Sequence, residues 1–175
     1  MKTIPVFLAG LIIINVASLA AQDNPFWMEL SFKNYTIKYP SNTKLEKNSQ
    51  EGSFTIYLIP EKLPSQSDNV LMQINEIAGY MLDLESYAYQ FAEAYFNYYN
   101  VTILEDRQIN VNNQPCHIFV TERDDGHGEV EYKTRVCIWV KNNWAYNLIF
   151  SAKPERYDEL LPIATKMAES LTFKR

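Results

Sequence analysis

The sequence predicts an α+β protein in which an antiparallel β-sheet is sandwiched between helices. Apolar residues alternate at strand period through much of the chain, and two segments carry a helical stripe instead. The third sign is a central hairpin, turning at Asn142-Asn143, that is apolar on both sides. An antiparallel sheet with one face in water alternates apolar and polar residues, so a hairpin apolar on both faces needs cover on both.

Tyr35, Ile37 and Tyr39 alternate with Thr36 and Lys38 up to Pro40, and Phe54, Ile56 and Leu58 alternate with Thr55 and Tyr57. Both runs read as strands of an N-terminal meander. Pro60 to Asn69 reads as a loop, because Pro60, Pro64, Ser65, Ser67 and Asp68 interrupt the pattern, and Val70 to Ile77 as the next strand. Asp83 is suited to cap a helix from Leu84 to Tyr99, where Leu84, Tyr87, Ala88, Phe91, Tyr95, Tyr98 and Tyr99 recur at helical spacing.

Asn112-Asn113 and Asn142-Asn143 each lie between β-rich runs, and Asn tolerates the positive φ of two-residue hairpin turns. With a fold-back at Asp124-Asp125-Gly126-His127-Gly128, residues 103 to 151 read as four successive antiparallel strands. The Asn142-Asn143 turn sets Lys141 against Trp144, Trp139 against Tyr146 and Cys137 against Leu148. One face then carries Cys137, Trp139, Tyr146, Leu148 and Phe150, and the other Val136, Ile138, Val140, Ala145 and Ile149. The second covering helix is predicted over Pro154 to Ser170, where Tyr157, Leu160, Leu161, Ala164, Met167, Ala168 and Leu171 keep a stripe. Pro162 should kink or restart it.

The first 20 or so residues read as a cleavable secretory signal: Lys2, an apolar run from Val6 to Val16, then Ser18-Leu19-Ala20 as small residues before a cut. Asn15 and Ser18 interrupt the run before it reaches the length of a membrane span. Ala21 and Gln22 stand where a lipoprotein would carry its cysteine. Export to the periplasm or outside a Gram-negative cell is expected, with no direct membrane anchor after cleavage. Residues 21-175 are the size of one domain. Of the 175 residues, 47% are hydrophobic and 21% charged, the composition of a globular chain. The net charge is −5 and no Lys/Arg stripe is present, which argues against nucleic acid as a partner. Asn34-Tyr35-Thr36 and Asn100-Val101-Thr102 are sequons that matter only in a eukaryotic secretory route.

The chain resembles the PsbP/Mog1-type family, in particular its exported bacterial branch. The resemblance rests on Tyr35-Thr36-Ile37-Lys38-Tyr39-Pro40, Gly52-Ser53-Phe54-Thr55-Ile56, the helix from Leu84, Tyr146-Asn147-Leu148-Ile149-Phe150-Ser151 and Ala168-Glu169-Ser170-Leu171-Thr172-Phe173. It departs at Thr43, where the family often has tryptophan. The resemblance implies an antiparallel sheet between helices and leaves the activity open, since members range over photosystem assembly, small-GTPase binding and envelope roles.

Catalytic signatures are sparse. The chain has only two histidines. His117 adjoins Cys116 on a predicted strand, and adjacent strand residues point to opposite faces, so they form no thiolate–imidazole pair. G-x-S-x-G, H-E-x-x-H and C-x-x-C are all absent. Asp124, Asp125, His127 and Glu129, with Glu131 following, either shape a solvated hairpin tip or hold a divalent cation. Cys116 and Cys137 fall roughly opposite one another if the hairpin turns at Gly126-His127, either as a cross-strand disulfide or as two buried thiols. On the first helix, Tyr87, Phe91, Tyr95 and Tyr98 project toward the sheet, with Tyr89 and Phe96 on one flank beside Glu85 and Ala92. That flank is either a binding patch or is buried by the sheet or the Pro60–Asn69 loop.

Together these features predict an exported, non-enzymatic binding or accessory domain of the cell envelope, with an envelope protein, peptide or glycan as partner and no cofactor. Two rival expectations stand beside it: a metal-dependent enzyme using the acidic hairpin Asp124–Glu131, and a periplasmic assembly chaperone or immunity-type protein.

Overall fold

A computed structural model describes residues 26–58, 68–77, 83–99 and 101–174. The expected signal segment lies outside the described residues, as does most of the predicted Pro60–Asn69 loop.

Among the described residues, ten strands and two helices follow in the order β1 (Trp27–Ser31), β2 (Tyr35–Pro40), β3 (Lys44–Lys47), β4 (Phe54–Tyr57), β5 (Asn69–Glu76), α1 (Leu84–Tyr99), β6 (Val101–Val111), β7 (Gln114–Asp124), β8 (Val130–Lys141), β9 (Trp144–Ala152), α2 (Pro154–Ser170) and β10 (Thr172–Phe173). The strands form an antiparallel seven-stranded sheet, β3-β4-β5-β9-β8-β7-β6, and a three-stranded sheet, β1-β2-β10. The N-terminal strands are therefore not one meander. β3, β4 and β5 are consecutive in the large sheet, whereas β2 leaves it to pair with β1 and with β10 from the far end of the chain.

The two Asn-Asn turns form as their chemistry dictates. Asn112, Asn113, Asn142 and Asn143 all have positive φ, between 50° and 64°, the left-handed geometry of a tight hairpin turn. The β8–β9 register is the expected one, with Lys141 opposite Trp144, Trp139 opposite Tyr146 and Cys137 opposite Leu148.

Two apolar cores lie on the two faces of this hairpin. Trp139, Leu148, Phe150, Met72, Phe54 and Ile118 pack under α2 and the small sheet, joined by Tyr35 and Ile37 of β2 and Met167 of α2. Val136, Ile138, Ile149 and Phe119 pack under α1 with Ala88. Burying each large side chain contributes about 1.5–3 kcal/mol. α2 runs through Pro162 as one helix and does not restart there. Pro162 lies on the exposed side, where water can satisfy the carbonyl left without its partner.

Three polar anchors sit within this apolar frame. The Tyr35 hydroxyl donates to the Gly52 carbonyl, which turns inward at a φ of +83°. A Cβ on Gly52 would lie 2.9 Å from Ile74 Cδ1, so the turn requires glycine. Asn147, fully buried between the apolar residues of β9, meets the Tyr87 hydroxyl at 2.9 Å, and Asn75 Nδ2 donates to the same oxygen at 3.1 Å. Asp68, only 1% exposed, accepts the Lys153 N–H at 3.0 Å and holds the start of α2.

Tyr35→Phe leaves the Gly52 carbonyl buried without its donor. It is expected to cost about 1–3 kcal/mol in denaturant unfolding. Burial also penalises the phenolates of Tyr35, Tyr146 and Tyr157 and raises their pKa values, that of Tyr157 to about 12. The unfolded chain releases these protons near pH 10 while the folded chain keeps them. The contribution of Tyr157 is therefore complete below pH 10 and is lost as pH rises from about 10 to about 12, and that of Tyr35, raised further, goes on falling above this. Thermal melts at pH 9 and 11.5 should show this loss, and Tyr157→Phe should reduce it.

Candidate functional site

The acidic hairpin does not assemble a ligand set. Asp124 Oδ1 accepts the N–H groups of Gly126 at 2.5 Å and Gly128 at 3.2 Å, and Asp125 Oδ1 those of His127 at 2.7 Å and Glu129 at 3.3 Å. One oxygen of each carboxylate thus shapes the turn, as short Asp side chains do in loops. Among the described residues no group of three His, Cys, Asp or Glu side chains is placed to hold a metal ion. Glu131 reaches sideways to Arg123 at 2.8 Å.

Cys116 and Cys137 are both buried and both free. They are not directly opposite one another, as a turn at Gly126-His127 implied. The irregularity between Arg123 and Asp124 shifts the pairing, so Cys137 faces Ile118. A two-residue offset keeps both thiols on the α2 face as diagonal neighbours. Cys137 is drawn below its ordinary pKa, first by the hydrogen bond with the Cys116 thiol and also by Arg135, against the effect of burial. That hydrogen bond, with burial second, pushes Cys116 upward. His117 turns to the opposite face, where its Nε2 lies 2.7 Å from Asp106 and its ring lies against Phe119.

The flank of α1 divides. Asp83 caps the helix as expected, accepting the Ser86 N–H at 2.7 Å and the Ser86 hydroxyl at 2.8 Å, which holds its carboxyl below the usual range. Tyr89 is 71% exposed and Glu85 is exposed beside it. Phe96, expected beside them, instead packs on the sheet with its ring edge-on to Phe119 at 5.1 Å. Ala88 and Ala92 turn toward the sheet, where small side chains let the helix backbone approach closely. The buried stripe is Leu84, Tyr87, Ala88, Phe91, Ala92 and Phe96. Tyr95 stacks on Phe91 at 5.2 Å, and the Tyr98 side chain lies outside the described residues.

A cleft that the sequence did not foretell lies at the end of the molecule where the two sheets meet. Lys33-Asn34 forms the β1–β2 turn, Lys141-Asn142 opens the β8–β9 turn, and Lys174 follows β10. The Lys174 N–H donates to the Asn34 carbonyl at 2.8 Å, and its ammonium donates to Ser31 Oγ at 2.8 Å and to the Phe32 carbonyl. Half-buried Trp144 walls two adjoining hollows here, of about 120 and 130 Å³. Three lysines thus line one hollow together with the Trp144 indole in a chain of net charge −5. Lys33 and Lys141 take part in none of the ion pairs among the described residues. Glu51 lines only the hollow on the β4 side. The one local signal in the sequence was the repeated Lys-Asn pair at two turns.

The architecture is the PsbP/Mog1-like α+β fold: an antiparallel sheet with helices on its two faces. Solved structures that share it include the cyanobacterial PsbP of Synechocystis, at 13% identity and a TM-score of 0.65, covering 91% of this chain and 99% of that one. LpqN of Mycobacterium tuberculosis, described as involved in cell envelope biogenesis, matches at 10% identity and 0.58, covering 87% and 92%. The Ran-binding protein Mog1p of Saccharomyces cerevisiae matches at 6% identity and 0.54, covering 85% and 98%. At such identities the likeness is one of fold. No protein-family model and no curated protein sequence matches the chain.

Tyr89→Ser should change unfolding free energy by no more than about 0.5 kcal/mol, as for an exposed position. Phe96→Ser should cost about 2 kcal/mol or more by opening the contact with Phe119. Paired thermal melts distinguish the two.

Proposed function

We propose that this chain is an exported, non-enzymatic binding or accessory domain of the cell envelope. The observation that carries the reading is the cleft at Trp144. It combines an aromatic wall, side-chain amides and lysines that enter none of the ion pairs among the described residues, a composition suited to holding a ligand. The residues that line it include no Ser, Thr, Cys or His, the side chains of the common hydroxyl and thiol nucleophiles and their usual base. The leader-like N-terminal sequence supports export, and the fold shared with a protein described as involved in cell envelope biogenesis agrees with an envelope setting. No helix among the described residues is long and apolar enough to cross a membrane.

A protein partner is the second reading, favoured by Tyr89. A tyrosine exposed on the outer face of a helix presents a large apolar ring with a polar tip, the kind of side chain that anchors interfaces. In this arrangement the cleft and the helix face address different partners from opposite sides of the sheet.

Expression of the full chain in a Gram-negative host, followed by fractionation and intact-mass measurement, tests export. The mature protein should appear outside the cytoplasm with its N-terminus at Ala21. Retention in the cytoplasm at full mass would overturn the export reading.

A further inference from the structure

We infer that the Trp144 cleft binds an acidic saccharide, a sugar bearing carboxylate groups. The inference rests on the binding-domain reading and names the chemistry of its ligand.

The first ground is charge. Lys33, Lys141 and Lys174 line the same hollow as the Trp144 indole although the chain as a whole is acidic. Lys174 is held in place by Ser31 Oγ and the Phe32 carbonyl, and its ammonium has a third N–H to offer. Lys33 and Lys141, at the tips of two different hairpins, present ammonium groups that no carboxylate among the described residues neutralises. A ligand carboxylate would complete them with charge-assisted hydrogen bonds.

The second ground is the kind of donor. β9 is an interior strand, and Trp144 is paired with Glu76 on one side and Lys141 on the other. No free strand edge is therefore present at Trp144 for an extended peptide to join by main-chain hydrogen bonds. What the cleft offers is side-chain donors, the ammonium groups and the amides of Asn34 and Asn142, arranged about an aromatic wall. Inorganic phosphate would satisfy the lysines but leave the indole unused. A sugar acid uses all three: its C–H face lies on the indole, its hydroxyls meet the amides, and its carboxylate meets the lysines.

Calorimetric titration of the mature chain with digalacturonate tests the inference, with neutral digalactose and inorganic phosphate as comparison ligands. Digalacturonate should bind at least about tenfold more tightly than either. The Lys33→Gln/Lys141→Gln double variant should weaken it by about tenfold or more at an unchanged melting temperature, since both positions are exposed. Trp144→Phe, which keeps an aromatic wall, should retain most of the affinity. Equal binding of phosphate would reduce the cleft to a general anion site, and equal binding of digalactose would remove the role of charge. Either result, an absence of heat with digalacturonate, or affinity indifferent to the two lysines would overturn the inference. Export is read separately by fractionation, so failure of the ligand leaves the location of the protein standing, and the reverse also holds.

Discussion

The β8–β9 hairpin is apolar on both faces, and the rest of the molecule is arranged to keep both faces from water. Trp139, Tyr146, Leu148 and Phe150 point one way; Val136, Ile138, Ala145 and Ile149 point the other. One helix cannot cover both sides of a sheet, so α1 and α2 must pass on opposite faces, and the strands flanking the hairpin extend the surface on which each helix rests. α2 also packs on β2. This brings the small sheet onto the same face, with Tyr35 edge-on to Tyr146 at 5.7 Å.

That arrangement explains where polar groups are tolerated. Asn147 is buried only because Tyr87 of α1 brings a hydroxyl to it, and Asn75 joins the same oxygen. Asp68 is buried at the start of α2, where a backbone N–H meets one oxygen and Arg156 stands 3.7 Å from the other. Each anchor joins a helix to the sheet and selects one docking position among those that apolar packing alone would allow. The cleft at Trp144 is a consequence of the same geometry. Where the small sheet ends against the β8–β9 turn, neither helix reaches, and turn residues line the gap instead.

Much of this was legible from local chemistry. The Asn-Asn turns announced their own geometry, and a two-residue turn sets the register of the strands it joins, so the pairing of Trp139 with Tyr146 follows from the turn residues alone. The helix bounds followed from Asp83 and Pro154. The Cys116–Cys137 register was less accessible. The loop from Asp124 to Glu129 is longer, and the irregularity at Arg123 and Asp124 moves the partner of Cys137 to Ile118. The rotation of α1 was hidden for a related reason: several stripes of an aromatic-rich helix are apolar enough to face inward, and the Phe119 ring selects the one containing Phe96.

By itself the sequence determined the two helices, the longer strands, the tight-turn registers and the two-faced core, because each depends on residues a few positions apart, but not the short strands β1, β3 and β10. Tertiary structure alone decided which strands share a sheet, since β2 pairs with β10 from the other end of the chain and local periodicity carries no record of that contact. It also decided the candidate site. Lys33, Trp144 and Lys174 have no common pattern along the chain. They meet because packing of the small sheet on the large one brings the β1–β2 turn, the β8–β9 turn and the C-terminal strand to the same end of the molecule.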